Sequence, residues 1–356
     1  MPAPPRLVQL VPAAPGGLRD YAANIQRVWW TWGVESRLLP LAEGDVVASP
    51  LWLHLGSGAP TVQTVLIVHY SGYGYDRRGL CSWLNRELSD ARLRLGQRLR
   101  VVVMFHELYA SGPPWRSAFW LSRRQASIAA ELAALCDVAL TNTGQHARWL
   151  EQQLGNQNNV AVWPVFSNVG EPVAIVPFAA RQRRLVVFGT ESTRRRALRQ
   201  VHRHAWQLGR LGIEEMVEVG VGVSVGPPSG MLRSRFAGRL DESALQALLS
   251  RSAFGLIEYP LHCMGKSGVF AAYAAHGCVV LNAHPSQQGA DGLRPGAHFL
   301  DLDPSRPRVP DDESLDQMVG QAKSWYDQHT LKVQTAALAR TCGIDPRWAT
   351  SLARQD

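Results

Sequence analysis

Several short segments carry residue types whose spacing could do chemistry. Gly16-Gly17 stands between an apolar run at residues 7–11, broken by Pro12, and a helix-like pattern through Asp20, Tyr21, Ala22, Ile25 and Trp29. A strand, a glycine turn and a helix in that order leave unpaired amides at the helix start, which attract an anion or a polar ligand. Paired glycines let the backbone turn tightly and another group come close. The same order also describes a helix-start turn with no ligand. His106-Glu107 follows the apolar run 101–105, so both side chains are expected at the carboxyl end of a strand. There a histidine can hydrogen-bond a hydroxyl or position an acceptor, with Glu107 orienting it, or it can be a satisfied turn residue. Farther on, Gly189-Thr190-Glu191-Ser192-Thr193-Arg194-Arg195-Arg196 follows the run 185–188, and Lys266-Ser267-Gly268 precedes a small, apolar helical stretch at 269–276. Both spacings put helix amides and cations at one point. Finally, His69-Tyr70-Ser71-Gly72-Tyr73-Gly74-Tyr75 lies at another strand end. Its interleaved tyrosines and glycines suit a sugar or aromatic ligand, or equally packing and turn chemistry.

Positioning such residues needs a scaffold of parallel strands. Short β-type runs at 7–11, 65–69, 99–105, 138–141 and 160–165 alternate with longer helical segments at 118–135 and 145–154. That alternation predicts a doubly wound α/β sheet, with ligands at its carboxyl edge. The polar stretch Ser167-Asn168-Val169-Gly170-Glu171-Pro172 interrupts it and is the candidate hinge. A second series follows at 185–188, 217–223, 254–258 and 279–281, and helical spacing resumes at Leu315, Met318, Ala322 and Trp325 and again over 331–338. The expected domains are therefore 1–172, 173–330 and a C-terminal helical segment at 331–356.

Composition narrows the classes. A chain of 356 residues suits two α/β domains, and no run of about twenty apolar residues is present to span a bilayer. The start, Met1-Pro2-Ala3-Pro4-Pro5, lacks a basic region followed by an apolar one, so a cytoplasmic protein is expected. The five cysteines form no CxxC pair, which points to reduced thiols rather than zinc or disulfides. A net charge of +8 permits attraction to nucleic acid, anionic lipid or a phosphorylated substrate. The arginines are spread along the chain, and no helix-turn-helix or RNP-type pattern accompanies them, so no specific nucleic-acid partner is expected. No GxGxxG follows the first run, which argues against a dinucleotide oxidoreductase.

Two Rossmann-like halves, the Gly16-Gly17 turn, His106-Glu107, the glycine-bearing basic loop at 189–196 and the block from Pro260 to Val280 together resemble the GT-B glycosyltransferases, with glycosyltransferase family 4 the nearest branch. The resemblance covers nearly the whole chain and rests on motif order and spacing. It implies two Rossmann-like domains facing across a cleft, with C-terminal helices crossing back to the N-terminal domain. It also implies transfer of a sugar from a nucleotide-diphosphate donor with retention of configuration, inversion remaining open. The expected partners are a nucleotide sugar and a glycan, lipid-linked or small-molecule acceptor, with peripheral contact at the inner face of a membrane. No cofactor and no metal are expected, because the one Asp-x-Asp, Asp301-Leu302-Asp303, lies away from the other motifs.

By residue, the resemblance places the catalytic pair at His106 and Glu107 and the donor diphosphate at Gly16, Gly17, Arg195, Lys266 and the amides of Ser267, Gly268 and Val269. Arg195 falls where the family has its phosphate-binding lysine, and Arg194 and Arg196 are expected on a solvated helix face. Asp20, Tyr73 and Tyr75 fall on the acceptor side. Trp115 and Trp120 are expected at an acceptor entrance or a membrane, with at least one in the core. One departure stands out. Where family 4 carries two glutamates eight positions apart, this chain has Met264 and Ala272, neither of which accepts a hydrogen bond as a carboxylate does. A sugar-nucleotide or glycan-binding protein without catalysis is therefore the alternative function.

Overall fold

The computed structural model describes residues 5–56, 62–110, 112–155, 160–222, 224, 232–284, 289–303, 305 and 309–345. Met1 to Pro4, Val223 and residues 346–356, which figure in the sequence expectations, lie outside them. Contacts divide the chain into two units, 1–163 with 331–356, and 164–330.

In the first unit the strands are β1 (Arg6–Pro12), β2 (Ser36–Leu41), β3 (Thr64–Tyr70), β4 (Leu99–Phe105), β5 (Val138–Thr141) and β6 (Ala161–Val162). They form one parallel sheet in the order β2-β1-β3-β4-β5-β6. Its helices are α1 (Gly17–Thr31), α2 (Glu43–Ala48), α3 (Leu51–Leu55), α4 (Gly72–Tyr75), α5 (Ser82–Leu95), α6 (Ser117–Ala134) and α7 (Gly144–Gln153). All seven residues of β3 are buried, and β4 is nearly so, as expected of central strands covered on both faces.

The second unit contains β7 (Gln182–Phe188), β8 (Glu215–Val219), β9 (Arg233–Phe236), β10 (Ser252–Ile257), β11 (Val279–Asn282) and β12 (Leu300–Asp301). These form a second parallel sheet, ordered β12-β11-β10-β7-β8-β9. Its helices are α8 (Glu191–Val201), α9 (Ala205–Arg210), α10 (Glu242–Arg251), α11 (Gly268–His276) and α12 (Asp312–Asp327). Renumbered within the unit, the order is that of a dinucleotide-binding Rossmann sheet, with the direction of winding reversing between β7 and β10. In the first sheet the reversal falls between β1 and β3. Open α/β sheets bind ligands at the carboxyl ends of the strands flanking such a reversal.

The last helix, α13 (Leu331–Thr341), returns to the first unit and packs on α1. There the Trp29 indole N–H donates to the Thr335 carbonyl at 3.2 Å, and the Tyr21 hydroxyl donates to Gln334 Oε1 at 2.7 Å. The change of unit comes at Pro164, upstream of the expected hinge at 167–172. Those residues are tied into the second unit: the Ser167 amide donates to the Tyr326 hydroxyl at 2.9 Å, and that hydroxyl donates to Glu171 at 2.6 Å. A polar, proline-bounded sequence looks like a linker until a buried tyrosine satisfies it.

Candidate functional site

In the first unit, the loops after β1 and β3 diverge at the sheet's switch point. Gly16 has φ 163°, an extended conformation open to any residue, and Gly17 begins α1. The chain bends at Gly16 into α1 without the left-handed backbone that would demand glycine. A Cβ at either position would meet nothing within 4 Å, so what the glycines leave is open space before the first turn of α1. Asp20 lies exposed in that turn, where a carboxylate complements the helix dipole.

His106 sits at the end of β4, 8% exposed, its amide donating to the Tyr70 carbonyl at 2.9 Å. Its Nε2 lies 3.3 Å from Nδ1 of His69, whose Nε2 lies 3.1 Å from Gln9 Oε1; Gln9 Nε2 in turn donates to Ser36 Oγ at 3.1 Å. Tyr21 covers both imidazoles edge-on, with ring centroids 4.9 Å from His106 and 5.7 Å from His69. Burial, and secondarily the neighbouring His106, hold the His69 pKa well below its ordinary value. Glu107 is exposed, and its Oε2 accepts from the Ser71 hydroxyl at 2.8 Å. His69 thus braces His106, and Glu107 is braced on the loop after β3. Neither His69 nor Gln9 was singled out from sequence as a partner. The available signal was a glutamine inside the apolar run Leu7-Val8-Gln9-Leu10-Val11, since a buried amide requires a partner.

Tyr75 does not serve an acceptor. It is buried, and its hydroxyl lies 3.2 Å from the Leu10 and His69 carbonyls. The interleaved glycines belong to the same packing, because a Cβ on Gly74 would lie 2.7 Å from Pro12 Cγ. Tyr73 is half-exposed and its hydroxyl accepts from Gln125 at 3.1 Å. Trp115 and Trp120 are 83% and 72% exposed, so neither joins the core as expected of one of them.

In the second unit, the loops after β7 and β10 meet. Gly189 adopts φ +125°, a conformation that strongly favours glycine. Thr190 caps α8, its Oγ1 accepting from the Thr193 amide at 3.3 Å. A Cβ on Gly189 would lie 3.4 Å from Val269 Cγ2, so the approach to α8 abuts the first turn of α11. Ser267 caps α11 by accepting from the Phe270 amide at 3.2 Å. Its own amide donates to the Met264 carbonyl at 2.9 Å, which corrects the expectation that this amide faces a ligand. Gly268 and Val269 open the helix and are partly exposed, and Lys266 flanks them. Tyr273 fixes α11 to the sheet: its ring lies where a Cβ on Gly255 would be, and its hydroxyl donates to the Val186 carbonyl at 2.7 Å.

The three arginines of α8 divide their work in a way the sequence concealed. Arg194, expected on a solvated face, is fully buried and pairs with Glu218 at 2.8 Å. It also donates to the Gly189 and Val221 carbonyls at 2.9 and 3.0 Å, joining the loops after β7 and β8. Gly220 leaves it room, since a Cβ there would lie 2.0 Å from one guanidinium nitrogen. The clue was Glu218 within Val217-Glu218-Val219, because a carboxylate in a buried strand needs a cation. Arg195 is half-exposed and pairs with Glu191 one turn earlier at 2.6 Å, while Arg196 lies 3.7 Å from Glu258. Met264 and Ala272 are both wholly buried in the core. No cluster of three or more potential metal ligands occurs among the described residues.

Two α/β units of this topology, closed by a returning helix, form the fold of the GT-B glycosyltransferases. The chain is similar to an α,α-trehalose-phosphate synthase (UDP-forming) from Burkholderia vietnamiensis, with a TM-score of 0.61 and 10% identity over 95% of this chain and 98% of that one. It is similar also to an alpha-glucosyltransferase in complex with UDP, with a TM-score of 0.58 and 11% identity over 91% of this chain and 96% of that one. Another such structure contains UDP and a 13-mer DNA with a HMU base, with a TM-score of 0.58 and 11% identity over 96% and 99% of the two chains. No protein-family model matches the sequence. No curated protein matches it either.

Proposed function

We propose that this protein is a glycosyltransferase that takes its sugar from a nucleoside-diphosphate donor, UDP-linked as in the similar structures. The observation that carries the reading is the meeting of the α8 and α11 starts at Gly189 and Val269, on the carboxyl edge where the second sheet reverses. Amides of Gly268 and Val269, with Lys266 and Arg195, receive the diphosphate. As the bond from the anomeric carbon to the diphosphate oxygen breaks, these groups stabilise the negative charge on the departing nucleoside diphosphate. In the first unit, considered by itself, the open space before α1 at Gly16-Gly17 admits a polar ligand, and the His69-braced His106 presents its imidazole to a ligand hydroxyl. The transfer is metal-independent and retains configuration, and the site is family 4-like without its glutamate pair.

A second reading has a specific observation behind it. Met264 and Ala272 are sealed in the core, so ligand hydroxyls gain no carboxylate from those positions. A protein that binds a sugar nucleotide or glycan without efficient transfer fits that feature. Thermal unfolding with UDP, GDP, ADP and TDP and their common sugars tests binding, since a ligand of the native state raises the melting temperature by mass action. Turnover with the responding sugar nucleotide, with and without EDTA, separates enzyme from binder and tests metal independence. No stabilisation by any nucleoside diphosphate would overturn the transferase reading and the sugar-nucleotide form of the second.

A further inference from the structure

The amino-terminal half of α6 stands outside the core of its unit. None of residues 115–124 is buried, and Gln125 is the first buried residue of the helix. Trp115 is 83% exposed, Trp120 72% and Phe119 44%, and the Phe119 and Trp120 rings meet edge-on with centroids 5.3 Å apart. The Trp120 indole N–H donates to the Pro114 carbonyl at 2.8 Å, so the ring is held in place while its apolar face stays in solvent. One turn along, Arg123 and Arg124 follow Phe119 and Trp120 at the four-residue spacing that puts side chains on one face. With Arg116 they are exposed, and none of the three pairs with a carboxylate among the described residues. From Leu108 to Ala130 the chain has no Asp or Glu. The next acid, Glu131, accepts from Asn85 and Ser127. Gln125 ties the helix to two neighbouring loops, accepting from the Ala110 amide at 2.8 Å and donating to the Arg78 carbonyl at 2.7 Å. Arg77 and Arg78 add two further exposed guanidinium groups.

We infer that this turn of rings followed by a turn of arginines docks on an anionic lipid surface. Aromatic side chains settle at the level between headgroup and acyl chain, and guanidinium groups one turn farther out reach the phosphates. Duplex nucleic acid offers the phosphates but no apolar phase for three protruding rings, so charge and apolar surface together favour lipid. Residues 106–110 link His106 and Glu107 to Ala110, the residue whose amide Gln125 holds, which places the docking helix beside the candidate site in its own unit. Resting on the glycosyltransferase reading, the acceptor is then a lipid-borne molecule presented at that surface.

The docking is tested with the full chain and vesicles of phosphatidylcholine, pure or doped with phosphatidylglycerol. The expected result is co-sedimentation and a blue-shifted tryptophan emission with the doped vesicles only, weakened by salt. Trp115→Ser combined with Trp120→Ser, and separately Arg123→Glu combined with Arg124→Glu, should each lower binding about tenfold or more. All of these side chains are exposed, so unfolding curves and UDP binding should match the parent. Equal binding to both vesicle types, binding indifferent to both double variants, or displacement from vesicles by an oligonucleotide that the arginine variant no longer binds would overturn the inference. UDP binding measured alongside separates the two readings: losing vesicle binding leaves the donor site standing, and absence of UDP binding leaves the docking standing.

Discussion

Nδ1 of His69 lies 3.3 Å from Nε2 of His106, in a pocket that also holds Gln9 and Tyr21. With the His69 Nε2–H donating to the Gln9 amide oxygen, His69 Nδ1 is an acceptor and His106 Nε2 must donate to it. That assignment follows from satisfying the network. A glutamine on β1 therefore sets the tautomer of the histidine that follows β4 through a third residue on β3.

The fully buried His69 imidazole, with His106 beside it, resists protonation. The His69 pKa lies well below 6.5, and burial also lowers those of His204, His276, His298 and His329, the last to about 4. Below about pH 6.5 the unfolded chain binds protons that the folded protein refuses, so stability is fullest above that pH and falls as the solution is acidified. The urea midpoint should decline from about pH 7 to about pH 5, and His69→Gln should flatten the decline. A midpoint that held or rose over that range would contradict this account.

Neighbouring arginines on α8 should behave oppositely. Arg194→Ala strands the buried Glu218 carboxylate and should cost about 3–5 kcal/mol of stability. Arg195→Ala removes an exposed pair and should cost at most about 0.5 kcal/mol. It should nonetheless weaken UDP binding by about 1.5–3 kcal/mol, the scale of a hydrogen bond to a charged group. Calorimetric titration beside denaturant unfolding reads both quantities. Unchanged UDP affinity in the Arg195 variant would move the diphosphate contact to Lys266 or Arg196.

Gly17→Val probes the open space before α1. A Cβ there touches nothing within 4 Å, so stability should stay within about 0.5 kcal/mol of the parent. Nucleotide-sugar turnover should fall sharply, because the branched side chain occupies the space assigned to the ligand. Full turnover would leave the glycine pair a purely structural feature.

Ala272→Glu addresses the absent glutamates. Position 272 is fully buried on α11 among apolar residues, and an unpaired carboxylate there costs several kcal/mol. The variant should melt earlier and transfer no faster. A large gain in turnover with an ordinary sugar nucleotide would mean that α11 can turn this position toward the ligand.

The central strands were legible because burial on both faces leaves a continuous apolar run. Residues 99–105 and 138–141 coincide with β4 and β5, and 279–281 differs from β11 by one residue. The edges were not. β2 carries Arg37 and Pro40, and β9 reads Arg-Ser-Arg-Phe, since an edge strand needs polar residues to stay unpaired on its outer side. The site was legible as strand ends and glycine loops and illegible as side-chain partners. His69 serving His106, and Arg194 turning inward while Arg195 stays out, depend on which faces the helices and strands cover. Tyr75 went astray for the same reason: its spacing in the loop matched that of Tyr73, yet only Tyr73 reaches solvent.

The return of α13 to the first unit has a consequence for the order in which the protein can be made. Residues 164–330 are synthesised between the first sheet and the helix that covers α1, so a nascent chain carries Trp29 and Tyr21 without their Thr335 and Gln334 partners while the whole second unit emerges. Tyr21 in turn roofs the two histidines. The roof of the pocket around His69 and His106 therefore gains its last hydrogen bond only after the entire second unit has been translated, and a ribosome that stalls within that unit holds a first sheet whose roof is not yet fastened.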